Sequence, residues 1–117
     1  MAVTVIDPGP MLHAEIQRYD DPDIETGLQQ EGVDPATATY RLIDVSLDEL
    51  QDTRWFPGPH GWGSWMVSAL QAGKQVPPVV VMATDRGRGF ALVDGLNRTY
   101  AHWLLRRPTI RAYELLT

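Results

Sequence analysis

The hydrophobic pattern of the chain changes character near residue 40. Before that point, Val3–Ile6 predicts a short strand that the Pro8-Gly9-Pro10 sequence stops. A helix is then expected to begin at Pro10, because the apolar residues that follow share one helical face. These residues are Met11, Leu12, Ile16 and Tyr19. Residues 20–39 are acidic and interrupted by proline and glycine, which predicts a loop with a turn or two of helix.

After residue 40 the apolar runs are rich in β-branched residues and predict four strands. They cover residues 40–45, 79–83, 90–93 and 109–115, with a hairpin turn over 85–89. Ser46 is placed to cap a helical turn over Leu47–Leu50, with Glu49 at the reciprocal capping position.

Two helices are predicted between these strands. One extends from a Ser64 cap to Ala72 and ends at Gly73. Its buried side is either the Trp65, Ala69 and Leu70 set or the adjacent stripe that contains Met66. The other helix follows Asp94-Gly95, reaches about Arg106 and is closed by Pro108. Together the elements predict an α+β domain with a small mixed sheet over 40–117, preceded by an acidic, partly ordered extension over 1–39.

Composition narrows the class of protein. At 117 residues the chain has the size of one domain with its own core. The absence of cysteine excludes disulfides, thiolate metal sites and a cysteine nucleophile. No apolar run has the length of a membrane span, and no signal sequence precedes the domain, so we expect a cytoplasmic protein without a membrane partner.

The net charge of −5 conceals an asymmetry between the two halves. Residues 1–52 carry a net charge of −10, whereas residues 53–117 carry +5. Two interpretations stay open: a solvated surface, or an anion-binding half combined with an acidic segment that engages a protein partner. The overall charge argues against specific readout of duplex DNA.

Residues 92–101, Leu-Val-Asp-Gly-Leu-Asn-Arg-Thr-Tyr-Ala, carry the strongest functional signal. A strand, a glycine turn and a helix start present unpaired backbone N–H groups and the positive end of the helix dipole to an anion. Arg98 adds a forked donor suited to phosphate oxygens, and Thr99 adds a hydroxyl. Each also has a structural interpretation, as an exposed helix arginine and an ordinary helix threonine.

Several strings, taken in order, resemble the ParB N-terminal/sulfiredoxin-like superfamily, which includes proteins called ParB-like nucleases. They are Ile43-Asp-Val-Ser-Leu-Asp-Glu-Leu, the helix ending in Ala72-Gly73, Val76-Pro-Pro-Val-Val-Val, the string over 92–101, and Ile110-Arg-Ala-Tyr. The resemblance covers about residues 40–117. It implies a nucleotide-binding cleft for a nucleoside di- or triphosphate, with Mg²⁺ as a further ligand. By position, Gly95, Asn97 and Arg98 fall on the phosphate-binding turn, and Asp94 on its leading acid.

The departures from the superfamily pattern are equally informative. Sulfiredoxins have their cysteine nucleophile where this chain has Leu96, so the resemblance excludes sulfiredoxin activity. The usual histidine is Asn97, which can donate a hydrogen bond to phosphate but cannot shuttle a proton at neutral pH. The loop before the first helix lacks the carboxylate that kinase members carry there.

Two residues are candidates for catalysis. Asp94 is placed to hold Mg²⁺ together with phosphate oxygens, or simply to cap the turn. His60, in a glycine- and proline-rich loop, is a candidate general base or an exposed loop histidine. The same loop concentrates aromatic side chains, which either stack on a base or anchor the loop to the core. They are Trp55, Phe56, Trp62 and Trp65.

The leading hypothesis is therefore a nucleotide-binding domain. Binding alone, phosphoryl transfer, and Mg²⁺-dependent hydrolysis of a nucleotide or phosphodiester all stay open. The alternative is a non-catalytic module that kept the fold and binds a protein or, less favoured, single-stranded nucleic acid.

Overall fold

The computed structural model describes residues 3–16, 23–51, 64–84 and 89–116. Five strands and three α-helices follow one another along these parts of the chain. They are β1 (Val3–Leu12), α1 (Asp23–Gln30), β2 (Thr39–Ser46), α2 (Ser64–Gln71), β3 (Val79–Ala83), β4 (Phe90–Asp94), α3 (Leu96–Leu104) and β5 (Thr109–Leu115). Short 3₁₀ helices cover His13–Glu15 and Leu47–Glu49.

The strands form one mixed sheet in the order β1-β2-β5-β3-β4. Neighbouring strands are antiparallel except β3 and β5, which are parallel. The prediction of an α+β domain with a small mixed sheet is confirmed. The two pairings of β3 matter for the site. The parallel pairing places the start of β3 next to the middle of β5, and the antiparallel pairing places it next to the end of β4.

Both faces of the sheet are covered, and each has its own apolar cluster. One face buries Ile43, Val45, Val79 and Ile110, with Trp103 of α3 packed against them. The opposite face is covered by residues from the acidic part of the chain, whose side chains are fully or nearly fully buried against the sheet. They are Ile16, Ile24, Leu28 and Ala38, which pack with Tyr40, Val80, Tyr113 and Leu115. This second cluster draws its residues from both sides of residue 39.

The prediction for the start of the chain is wrong in one respect. β1 continues through Pro8-Gly9-Pro10 to Leu12, so no helix begins at Pro10. The register with β2 shifts between Val5 and Asp7 and again between Asp7 and Met11, and these bulges take the prolines out of the regular ladder. Gly9, with φ of 63°, passes so close to β2 that a Cβ atom would lie 2.5 Å from the Tyr40 carbonyl oxygen.

The predicted short elements are largely confirmed. The acidic segment contains the two-turn helix α1, and the Ser46 hydroxyl accepts a hydrogen bond from the Asp48 amide at 3.3 Å. α2 ends before Gly73, which has φ of 77°. The buried side of α2 combines the two candidate faces, because Met66 and Leu70 are both buried, whereas Trp65 is 64% exposed. Within the described ranges, no helix is long and apolar enough to span a bilayer.

Candidate functional site

The predicted phosphate-binding turn lies where β4 ends and α3 begins. Asp94 is the last residue of β4, and Gly95 is the N-cap of α3 in the left-handed conformation, with φ of 107°. A Cβ atom on Gly95 would lie 2.5 Å from Val79 Cγ1 and 3.2 Å from Val79 Cα. Glycine is therefore required here both for the backbone conformation and for the close approach to β3.

The first turn of α3 combines a buried anchor with an exposed surface. The Thr99 amide and the Thr99 hydroxyl both donate to the Gly95 carbonyl, at 2.9 and 3.0 Å, and Thr99 is fully buried. Helix geometry leaves the preceding N–H groups of the first turn without an intrahelical acceptor, and glycine has no side chain to cap them. Leu96 and Asn97 are exposed at this end of the helix.

Arg98 lies inside the fold, with only 8% of its side chain exposed. Its Nη2 donates to Asp94 Oδ2 at 2.8 Å, and the side chain of Asp94 is equally buried. Its Nη1 donates to the carbonyl oxygens of Pro77 and Pro78 at 3.2 and 3.1 Å. The guanidinium therefore ties the segment before β3 to the end of β4 and to α3.

The structure thus brings four of the predicted site residues into two adjacent hydrogen-bonded pairs, Asp94 with Arg98 and Gly95 with Thr99. The fifth, Asn97, is exposed. The contacts with Pro77 and Pro78 do not follow from the pattern over residues 92–101. The signal for them is the Pro-Pro pair itself, because two prolines before a strand offer carbonyl acceptors but no N–H donors.

Asp94 was also predicted as a metal ligand. Because Arg98 holds Oδ2 of its carboxylate, a metal ion would have to compete with a buried ion pair. Among residues 3–16, 23–51, 64–84 and 89–116, no group of three or more histidine, aspartate or glutamate side chains is placed to hold a metal ion. The residues in these ranges therefore do not fit a metal site of their own.

His60 lies outside the described residues, so its candidate role as a general base stays a prediction. The same holds for the aromatic residues of that loop other than Trp65, which are Trp55, Phe56 and Trp62.

His102 follows Arg98 by one turn, on the same face of α3, as its spacing indicates. Its Nδ1 lies 2.7 Å from the Arg98 carbonyl oxygen, and since a carbonyl only accepts, Nδ1 carries the proton. Burial lowers the pKa of His102 below its ordinary value of 6.5, against a raising effect of this hydrogen bond. The positive charges of Arg107 and Arg98 lower the pKa further. The imidazole is therefore neutral at physiological pH.

Comparisons with known proteins give a match to a solved structure. No family model matches the sequence, and no curated protein matches it. The structure is similar to that of sulfiredoxin from Arabidopsis thaliana, with a TM-score of 0.46 and 25% sequence identity. The match covers 62% of this chain and 82% of the sulfiredoxin chain. The α+β class assigned above rests on the described strands and helices themselves.

Proposed function

We propose that this protein binds the phosphate groups of a nucleoside di- or triphosphate at residues 95–99, the phosphate turn. The observation that carries the proposal is the start of α3, where a glycine N-cap without a side chain precedes the exposed residues Leu96 and Asn97. Such a helix end attracts anions through its N–H groups and its dipole. The resemblance of residues 92–101 to the phosphate-binding turn of the ParB N-terminal/sulfiredoxin-like superfamily supports the same assignment.

In this proposal each residue of the turn has its own task. The backbone N–H groups of Leu96 and Asn97 donate to phosphate oxygens, and the Asn97 amide adds a side-chain donor. Thr99 fixes the position of the Gly95 carbonyl through its two hydrogen bonds. Arg98 supplies positive charge within the turn, although the Asp94 carboxylate offsets much of that charge. The Pro77 and Pro78 carbonyls hold the guanidinium in place.

The phosphate turn alone lacks the proton acceptor that catalysis requires. Phosphoryl transfer or hydrolysis requires a group that accepts a proton from the attacking nucleophile. Asn97 cannot do so, and Asp94 is paired with Arg98. His60 stays the candidate general base. The function best supported by the described geometry is therefore nucleotide binding, with any reaction dependent on the His60 loop.

Calorimetric titration tests the binding proposal with ATP, ADP, CTP and GTP, each with and without Mg²⁺. The sharpest variant is Asn97→Glu, because a carboxylate in the first turn repels phosphate while it interacts favourably with the helix dipole. We expect the variant to fold as well as wild type and to lose nucleotide binding. Gln71→Glu, at an exposed position of α2, makes the same charge change away from the turn and is the matched control. Nucleotide binding that survives Asn97→Glu unchanged would contradict the proposal.

A second candidate is a non-catalytic interaction module that kept the fold. The observation that favours it is the inward position of Arg98, whose bonds to Asp94 and to two carbonyls are those of a structural residue. Absence of binding for all four nucleotides would favour this candidate. Binding of a charged protein partner should also weaken steeply with ionic strength, whereas a nucleotide in a pocket responds less.

A further inference from the structure

The exposed face of α2 forms an apolar groove that the phosphate-binding proposal does not use. The groove has a volume of about 440 Å³, and its lining includes Trp65, Ser68, Ala69, Ala72, Lys74 and Val76. We call it the α2 groove. Leu70 and Met66 pack against Ala101 of α3, and Met66 also contributes to the lining of the groove. Trp65, Ser68 and Ala72 are exposed, so the groove faces outward.

The shape of the α2 groove fits an elongated apolar partner. Trp65, Ser68, Ala69 and Ala72 follow the spacing i, i+3, i+4 and i+7, which aligns them along one helix face of about 10 Å. Small side chains at three of these positions allow another helix to approach closely. Trp65 stands at one end with 64% of its surface exposed, and a tryptophan at the edge of a groove is a typical binding hot spot.

The charge of the α2 groove favours an anionic partner. Among the described residues that line it, Lys74 is the one charged residue and none carries a carboxylate. A second cation lies at the same end of the helix, because Arg107 Nη2 donates to the Leu70 carbonyl at 3.4 Å. Both cations belong to residues 53–117, the half of the chain with a net charge of +5, so an acidic partner is favoured over a basic one.

We propose that the α2 groove docks an acidic amphipathic helix from a partner protein. The apolar face of that helix would lie on Ala69 and Ala72 against Trp65, and its carboxylates would reach Lys74. A second copy of this chain does not supply such a helix from α1, because Ile24 and Leu28 of α1 are buried in their own core. This inference is independent of the phosphate turn.

Selection from a displayed library of helix-forming 16-residue peptides tests this proposal against the full chain. We expect the enriched peptides to share apolar residues at i, i+3, i+4 and i+7 together with acidic residues. Enrichment of basic or uncharged sequences, or no enrichment at all, would overturn the proposal. Sedimentation of the protein alone is measured in parallel, and a dimer that Trp65→Ala dissociates would show that a second copy occupies the groove instead.

Variants then locate the bound peptide. Ala69→Arg fills the floor of the groove and should abolish binding. Gln29→Arg, at an exposed position of α1, makes the same charge change elsewhere and should leave binding unchanged. Trp65→Ala should weaken binding roughly thirtyfold, the usual size of a tryptophan hot spot. Lys74→Glu should shift the preference from acidic to basic peptides. Equal affinity for wild type, Ala69→Arg and Trp65→Ala would show that the peptides bind elsewhere and would refute the assignment.

Discussion

The same pair of chemical groups, an arginine and a carboxylate, occurs in two very different settings in this molecule. At the phosphate turn, Arg98 and Asp94 each have 8% of their side chains exposed. Across β2 and β5, Arg41 pairs with Glu114 at exposures of 36% and 11%, and Arg111 pairs with Asp44 at 56% and 34%. The three pairs therefore form a series from the interior to the surface.

This difference shows how burial decides what an ion pair contributes. Water replaces a lost partner at the surface, whereas a buried charge that loses its partner keeps its full desolvation cost. The pair at the phosphate turn is therefore one on which the fold itself depends. It follows that substitutions of Arg98 change stability and binding together, and that Asn97 is the cleaner probe of function.

Arg98→Ala should give the largest loss of stability in the series. It removes the cation that pairs with the buried Asp94 carboxylate and the donor to the Pro77 and Pro78 carbonyls. We expect the free energy of unfolding to fall by about 3–5 kcal/mol, measured by urea denaturation.

A double variant separates the effect of losing the Arg98 charge beside Asp94 from the effect of losing the volume of the Arg98 side chain. Asp94→Leu combined with Arg98→Met removes both charges and keeps apolar bulk, so it should recover much of the stability that Arg98→Ala loses. A double variant as unstable as Arg98→Ala would show that the carbonyl contacts, and not the ion pair, dominate.

Local pattern predicts the phosphate turn well, since the strand, the glycine and the helix start follow from residues 90–104 alone. The inward position of Arg98 does not follow from it. Its partners Pro77 and Pro78 precede β3, and the pairing of β3 with both β4 and β5 fixes where that segment lies. The path of β1 through its prolines is likewise set by nonlocal pairing with β2, which local helix and strand rules do not contain.

Arg41→Ala should have an intermediate effect. Its Nε lies 2.6 Å from Glu114 Oε1, and the Glu114 side chain is nearly buried while Arg41 is partly exposed. Water reaches one partner but not the other, so we expect a loss of about 1–2 kcal/mol in the free energy of unfolding. Glu114→Gln in the Arg41→Ala background should restore part of this loss, because it removes the unpaired charge. No recovery would place the effect in the packing of the Arg41 side chain.

Arg111→Ala should change stability least among the three pairs. The Arg111 Nε and Asp44 Oδ1 atoms are 3.5 Å apart, and this pair is the most exposed of the three, so water reaches both side chains. We expect a change within about 0.5 kcal/mol, and one that disappears in 1 M NaCl because salt screens exposed charges. A loss as large as that of Arg41→Ala would break the relation between burial and stability proposed for this series.

His102 is a single titratable side chain whose protonated, charged form is disfavoured by burial and by the neighbouring arginines. It therefore offers a comparison with the three ion pairs, in which both charges have a partner. Because its pKa is lowered in the folded state, the unfolded chain takes up the proton first as the pH falls below 6.5. As the pH falls from 6.5 to the lowered pKa of the folded protein, the free energy of unfolding of wild type should therefore decrease relative to that of His102→Gln. Below the lowered pKa, the difference between the two proteins should stay constant. Urea denaturation of both proteins at pH 7.5 and pH 5 measures this difference. The two proteins carry the same carboxylates, so the titration of the carboxylates cancels when the two are compared. An unchanged difference between the two pH values would mean that the imidazole is as easily protonated in the fold as in water, contrary to its position between Arg98 and Arg107.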